Sequence, residues 1–212
     1  IDLTIDMSHN PITMVSQMAW SSLPVQGSSQ TSPVRSLDID LSYPTAAFAP
    51  SVFTFSHVRW SATSMGTLSI NLGGNSLVDL ATICTLINTS NMPQTKNISI
   101  SLSSNNYTAI SPGAFDGCHI NHLDLRYNNI SQLSSHAFGK YNRHIQGLVL
   151  SCNSITFISS AFLARLPALV SLRIDHNALI ALPATKNHVL VPAMASNNPL
   201  QCSVYGPTAS DC

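Results

Sequence analysis

Residues 123–130 read Leu123-Asp124-Leu125-Arg126-Tyr127-Asn128-Asn129-Ile130, and Leu133 and Phe138 follow. The frame returns as Leu148-Val149-Leu150-Ser151-Cys152-Asn153-Ser154-Ile155, then Ile158 and Phe162. It returns again as Leu172-Arg173-Ile174-Asp175-His176-Asn177-Ala178-Leu179, then Leu182. Upstream, Ile100, Leu102, Asn105, Tyr107, Ile110 and Phe115 hold the same places, as do Ile70, Leu72, Asn75, Leu77 and Leu80. The first residues supply Ile5, Met7, Asn10, Ile12 and Val15, with Trp20 in the Phe column. A degenerate copy lies between, Ile39, Leu41, Pro44, Ala46 and Ala49, in which Pro44 stands where the others carry Asn. Successive Asn or Pro44 positions are 34, 31, 30, 23, 25 and 24 residues apart. The last three spacings keep a period of ~24 residues, and the first three carry insertions.

The period has a physical reading. In a short strand, alternate side chains face opposite ways, so the two apolar residues of each L-x-L point inward and the residues between them outward. Stacking such units makes a parallel sheet over one continuous core. Each sharp turn after a strand leaves backbone groups without a ladder partner, at about 1–3 kcal/mol per buried orphan. An Asn amide both donates and accepts, so it can satisfy them.

The pattern L-x-L-x-x-N-x-L resembles the leucine-rich repeat. That resemblance implies an α/β-type solenoid of about seven coils, with a short parallel β-sheet on the concave face. Loops and short helical or 3-10 turns are expected on the convex face. The asparagine ladder is expected at Asn10, Asn75, Asn105, Asn128, Asn153 and Asn177, with the Pro44 coil locally irregular. Phe115, Phe138 and Phe162, with Trp20, are expected to form a second spine. A single solenoid over 1–212 is expected, with irregular repeats over 1–97, regular repeats over 98–183 and a cap over 184–212. Of the insertions, 21–34 reads as surface loop from its Ser, Gly and Pro. Residues 81–90 read as a short helix, and 49–66 (Phe53, Phe55, Trp60) as chain packing back onto the solenoid.

Composition narrows the class. Of 212 residues, 8% are charged, against about 25% in ordinary domains. The nine acids are all Asp, balanced by nine Lys and Arg. Long amphipathic helices are where Glu is most used, so its absence predicts few of them. No apolar run reaches the ~18 residues of a membrane span, and scattered basic residues do not make a nucleic-acid footprint. A net charge of zero favours association, so the surface is expected to be masked.

The tail Asn198-Pro199-Leu200-Gln201-Cys202, with Cys212 last, looks like a reduced form of the cysteine-containing C-terminal cap of extracellular leucine-rich repeat proteins. The resemblance implies a Cys202–Cys212 disulfide; Cys84 and Cys118 fall in adjacent coils on the convex arc, where a second bridge is expected, and Cys152, beside Asn153 in the strand turn, is expected to be free. Sequons at Asn88, Asn97, Asn106 and Asn129 predict N-linked glycans. Together these place the protein in a secreted or cell-surface setting. The sequence opens directly on a strand, so a longer chain or another molecule is expected to cover the first coil.

Catalytic readings find little support. Cys118-His119 followed by His122 looks ligand-like, but the two imidazoles need not converge and metal geometry is strict. There is no nucleophile elbow or phosphate loop, and no enzyme, cofactor or metal is expected. Binding is the better reading. The outward positions form three columns, and their charged members gather toward the C-terminal half in Asp124, Arg126, Tyr127, Arg173, Asp175 and His176. These six are the expected partner-binding residues, with Tyr and Arg as anchors. The partner would be a protein, a glycan or further copies of the chain. A structural subunit of a glycosylated extracellular filament or matrix, joined end to end through uncapped coils, is the alternative.

Overall fold

A computed structural model of the chain describes residues 2–10, 36–43, 66–77, 80, 97–116, 118–139, 143–182 and 195–200. In chain order the strands are β1 (Asp2–Asp6), β2 (Ser36–Asp40), β3 (Thr67–Asn71), β4 (Asn97–Ser101), β5 (Ala109–Ile110), β6 (His122–Asp124), β7 (Gln132–Leu133), β8 (Gly147–Val149) and β9 (Ser171–Arg173). Seven form one sheet in the order β1-β2-β3-β4-β6-β8-β9, each pair parallel. Strands β5 and β7 make a second, two-stranded parallel sheet on the same coils.

The register is that of the repeat. Ile5, Ile39, Ile70, Ile100, Leu123, Leu148 and Leu172 stand in one line of partners. From Ile39 onward this line is at most 2% exposed, whereas Ile5 on the edge strand is partly covered. Beside it runs the outward line Asp6, Asp40, Asn71, Ser101, Asp124, Val149, Arg173. A one-residue slip would exchange core for surface in every coil, so the apolar pattern fixes the pairing.

Each strand leaves the sheet through the same turn. His9, Tyr43, Gly74, Ser104, Tyr127, Cys152, His176 and Asn197 all have φ between 48° and 67°, immediately before the ladder position. For a side-chain-bearing residue this left-handed conformation costs roughly 1–2 kcal/mol. The ladder holds it in place. Asn105 Nδ2 donates to the carbonyls of Leu72 and Leu102, while its Oδ1 accepts from the amides of Asn75 and Leu77. Asn128, Asn153 and Asn177 repeat the scheme one coil further on each time.

The two ends of the ladder differ from its middle. Asn10 is exposed, and its amide donates to Ser8 O within its own turn. Among the described residues no coil lies beyond β1 to accept the usual bond. At the other end Asn198, read as the opening of a cap, is a rung. Its Nδ2 donates to Ile174 O and Ala195 O, and its Oδ1 accepts from Leu179 N. The repeating turn therefore occurs eight times among the described residues, once more than the seven copies read from sequence. That copy escapes the pattern because Ala193 and Ala195 stand where other copies carry Leu or Ile. Pro44 lies outside the described residues, but the Oδ1 of Asn75, in the next coil, is buried without a partner.

Under the sheet, Phe115 stacks on Phe138 at 5.1 Å, and Phe138 meets Phe162 edge-on at 5.8 Å, all three buried. Phe162 is carried by the single helix among the described residues, α1 (Ser160–Ala164). Ser159 caps it, its hydroxyl accepting from Phe162 N. The readings of 21–34, 81–90, Trp20, Phe53, Phe55 and Trp60 fall outside the described residues.

Candidate functional site: the concave strand face

The sequence-derived cluster lies on the last coils of the sheet. Asp124 accepts from the backbone of Arg126 and pairs with the Arg126 guanidinium at 2.7 Å. Two coils on, Asp175 is 8% exposed, which is unusual for a carboxylate. Ser151 donates to its Oδ1 at 2.6 Å, and Arg173 Nε lies 3.6 Å from the same oxygen. His176 Nδ1 sits 3.1 Å from Oδ2, while His176 Nε2 meets Asn197 Nδ2 at 2.9 Å. Burial pushes the Asp175 carboxyl up, but the hydrogen bonds from Ser151 and His176 and the Arg173 charge outweigh it, leaving Asp175 below its ordinary value.

Ser151, Asp175 and His176 lie together, yet not as an activated nucleophile. The serine hydroxyl is given to the carboxylate, and the imidazole reaches the carboxylate's other oxygen. Nucleophilic catalysis needs the base on the hydroxyl. The arrangement instead fixes a buried anion beneath an exposed guanidinium. The Arg126 and Arg173 side chains are 49% and 57% exposed, and Tyr127 is 59% exposed. The sheet thus presents two oriented guanidiniums and one tyrosine ring. Ser151 and Asn197 join the cluster although neither was among the six residues expected from sequence. Their signal was present: both lie in the same columns of the repeat as Arg126 and His176, although Ser151 is buried.

Polar capping recurs along the strand ends. Asp6, Asp40, Asn71 and Asp124 each accept from the backbone N–H two residues on, at 2.9–3.0 Å. For Asp6, hydrogen bonds from Ser8 hold the carboxyl below its ordinary value. His119 faces His144 of the next coil at 4.3 Å between ring centroids, rather than His122. Burial, then the His119 charge, lower the His144 pKa. Among the described residues no group of three or more His, Cys or Asp is placed to hold a metal ion, and no helix is long and apolar enough to cross a membrane.

Asn106 and Asn129 are exposed on adjacent coils, whereas Asn97 opens β4 half-buried, with its Oδ1 inside. Cys118 is disulfide-bonded and Cys152 is a free thiol. Cys84, Cys202, Cys212 and Asn88 lie outside the described residues.

Residues 119–179 match the leucine-rich repeat family model. The match covers the three most regular copies, from the approach to β6 through the Asn177 turn. Leucine-rich repeat domains generally mediate protein binding and are typically non-enzymatic. No curated protein matches the chain.

Proposed function

We propose that this chain is an extracellular leucine-rich repeat module that captures a protein partner on the C-terminal half of its concave face. Asp124, Arg126, Tyr127, Arg173 and His176 would carry the contact, with the buried Asp175 of the same cluster holding Arg173 and His176 in place. The observation that supports this most is the buried Asp175 carboxylate, hydrogen-bonded by Ser151 and His176 beneath an exposed Arg173. A pre-ordered Arg loses less freedom on binding than a loose one, and Arg and Tyr are frequent interface anchors. The reading includes a Cys84–Cys118 disulfide, a Cys202–Cys212 disulfide, and glycans at Asn88, Asn106 and Asn129 in preference to the half-buried Asn97.

Capture of secreted proteins on immobilised native protein tests the surface. The Arg126→Ala/Arg173→Ala double variant is expected to lose the captured partner while keeping the wild-type unfolding temperature. Equal capture by the variant would assign the partner to another surface. The end-to-end filament alternative predicts concentration-dependent oligomers, and a monodisperse monomer in light scattering excludes it.

A further inference from the structure

In the cluster on the last coils, hydrogen-bond acceptors and donors are turned opposite ways. Asp124 accepts from Arg126 N on Oδ1 and meets the Arg126 guanidinium with Oδ2. Asp175 accepts from Ser151 on Oδ1 and faces His176 with Oδ2. The two Asp side chains are only 17% and 12% exposed, against 49% and 57% for Arg126 and Arg173. Covered, engaged carboxylates therefore lie beneath open guanidiniums. A basic segment would have to reach those covered anions, whereas an acidic one meets the guanidiniums directly.

Each Arg approaches its own Asp through Nε. A guanidinium carries five N–H donors and one carboxylate engages two of them at most, so most of each fork stays open to a partner. Such a fork takes a carboxylate bidentately, through short charge-assisted bonds. Because each Arg is already balanced by its own Asp, what it adds for a partner is hydrogen-bond geometry more than net charge. Val149 lies half-buried, in register between Asp124 and Arg173. Tyr127, next to Arg126, is 59% exposed, and its backbone N–H is bonded to Ser151 O. The two forks thus flank apolar contacts on coils two strand spacings, roughly 10 Å, apart. An extended peptide rises ~3.3 Å per residue, so three or four residues span that distance. We infer that this face takes an acidic protein segment, with two carboxylates on Arg126 and Arg173 and an apolar side chain between them against Val149 and Tyr127. This rests on the protein-binding reading of the same surface and adds the chemistry of the partner.

Fluorescence anisotropy of labelled eight-residue peptides, titrated with the native protein, tests this. The peptides carry two Glu three or four positions apart with Leu and Ser between them, matched peptides carry Gln instead, and a heparin octasaccharide serves as the polyanion. At least one Glu peptide is expected to bind, and its Gln counterpart at least about tenfold more weakly. Arg126→Lys/Arg173→Lys keeps both charges and removes both forks. It should lose at least about tenfold as well, at the wild-type unfolding temperature. The inference is overturned if no Glu peptide binds, if the Gln peptides bind equally, or if the Lys variant binds as wild type. Tighter binding of the octasaccharide than of every peptide also overturns it, in favour of a polyanion surface. A captured partner that Arg126→Ala/Arg173→Ala loses, with no Glu peptide bound, would keep the protein-binding reading and remove only the acidic segment.

Discussion

At residue scale, one side chain type has unequal duties along the chain. Asn105 is 5% exposed and serves three carbonyls and two amides across neighbouring coils. Asn105→Ala orphans several buried groups at about 1–3 kcal/mol each, so urea unfolding should show a loss of at least about 3 kcal/mol. Asn10→Ala removes a bond from an exposed turn, and its cost should stay below about 1 kcal/mol. Equal costs for the two would refute the ladder as the source of stability. Asp175 adds a pH dependence. Its folded pKa lies below the ordinary 3.8, so the unfolded chain takes up the proton first as pH falls. The contribution is fully present above pH 3.8 and fades as acidity moves through the lowered folded value. Between pH 5 and pH 2.5, Asp175→Asn should therefore lose less stability than wild type, as read from urea midpoints.

At the scale of elements, strands and turns answer to different forces. The L-x-L alternation alone places each strand and its register, because only one register buries every Leu and Ile. The Phe115, Phe138 and Phe162 spine depends on the chain coming back beneath the sheet. Phe138→Ala should cost about 3–5 kcal/mol, whereas Phe157→Ala, at a site 64% exposed, should change stability by under about 0.5 kcal/mol. Paired denaturation curves decide this. The β5–β7 pair and the five-residue helix were not legible: neither has enough residues for a period to show. The helix rests on the local Ser159 cap and on Phe162 seated in the core, and only the second is a tertiary placement.

For the whole molecule, stability is passed from coil to neighbouring coil, as in any solenoid. The lining of β1 is only partly buried, while Ile100, Leu123, Leu148 and Leu172 are almost fully enclosed. Hydrogen exchange should therefore release β1 amides well before those of β6 and β8. Uniform protection across the sheet would show a single cooperative unit instead. Glycan mapping works at the same scale: Asn106 and Asn129 should be occupied and Asn97 bare, since its amide opens a strand half-buried in the sheet.

The amino-acid order by itself determined the strands, their parallel stacking and which residues share a column, because a two-residue alternation and a fixed repeat length admit one way to bury the apolar set; that Ser42, Ser151 and Asp175 of one such column are buried was decided by the fold. It also brought the Arg126 and Arg173 region together, since column membership follows from register. Tertiary structure decided the rest. That Asn198 is a rung, that Ser151 holds Asp175, and that Gly74 makes room for Tyr43 all depend on which atoms of neighbouring coils meet. Side-chain reach between coils is set in three dimensions, where residues 24–34 positions apart become neighbours.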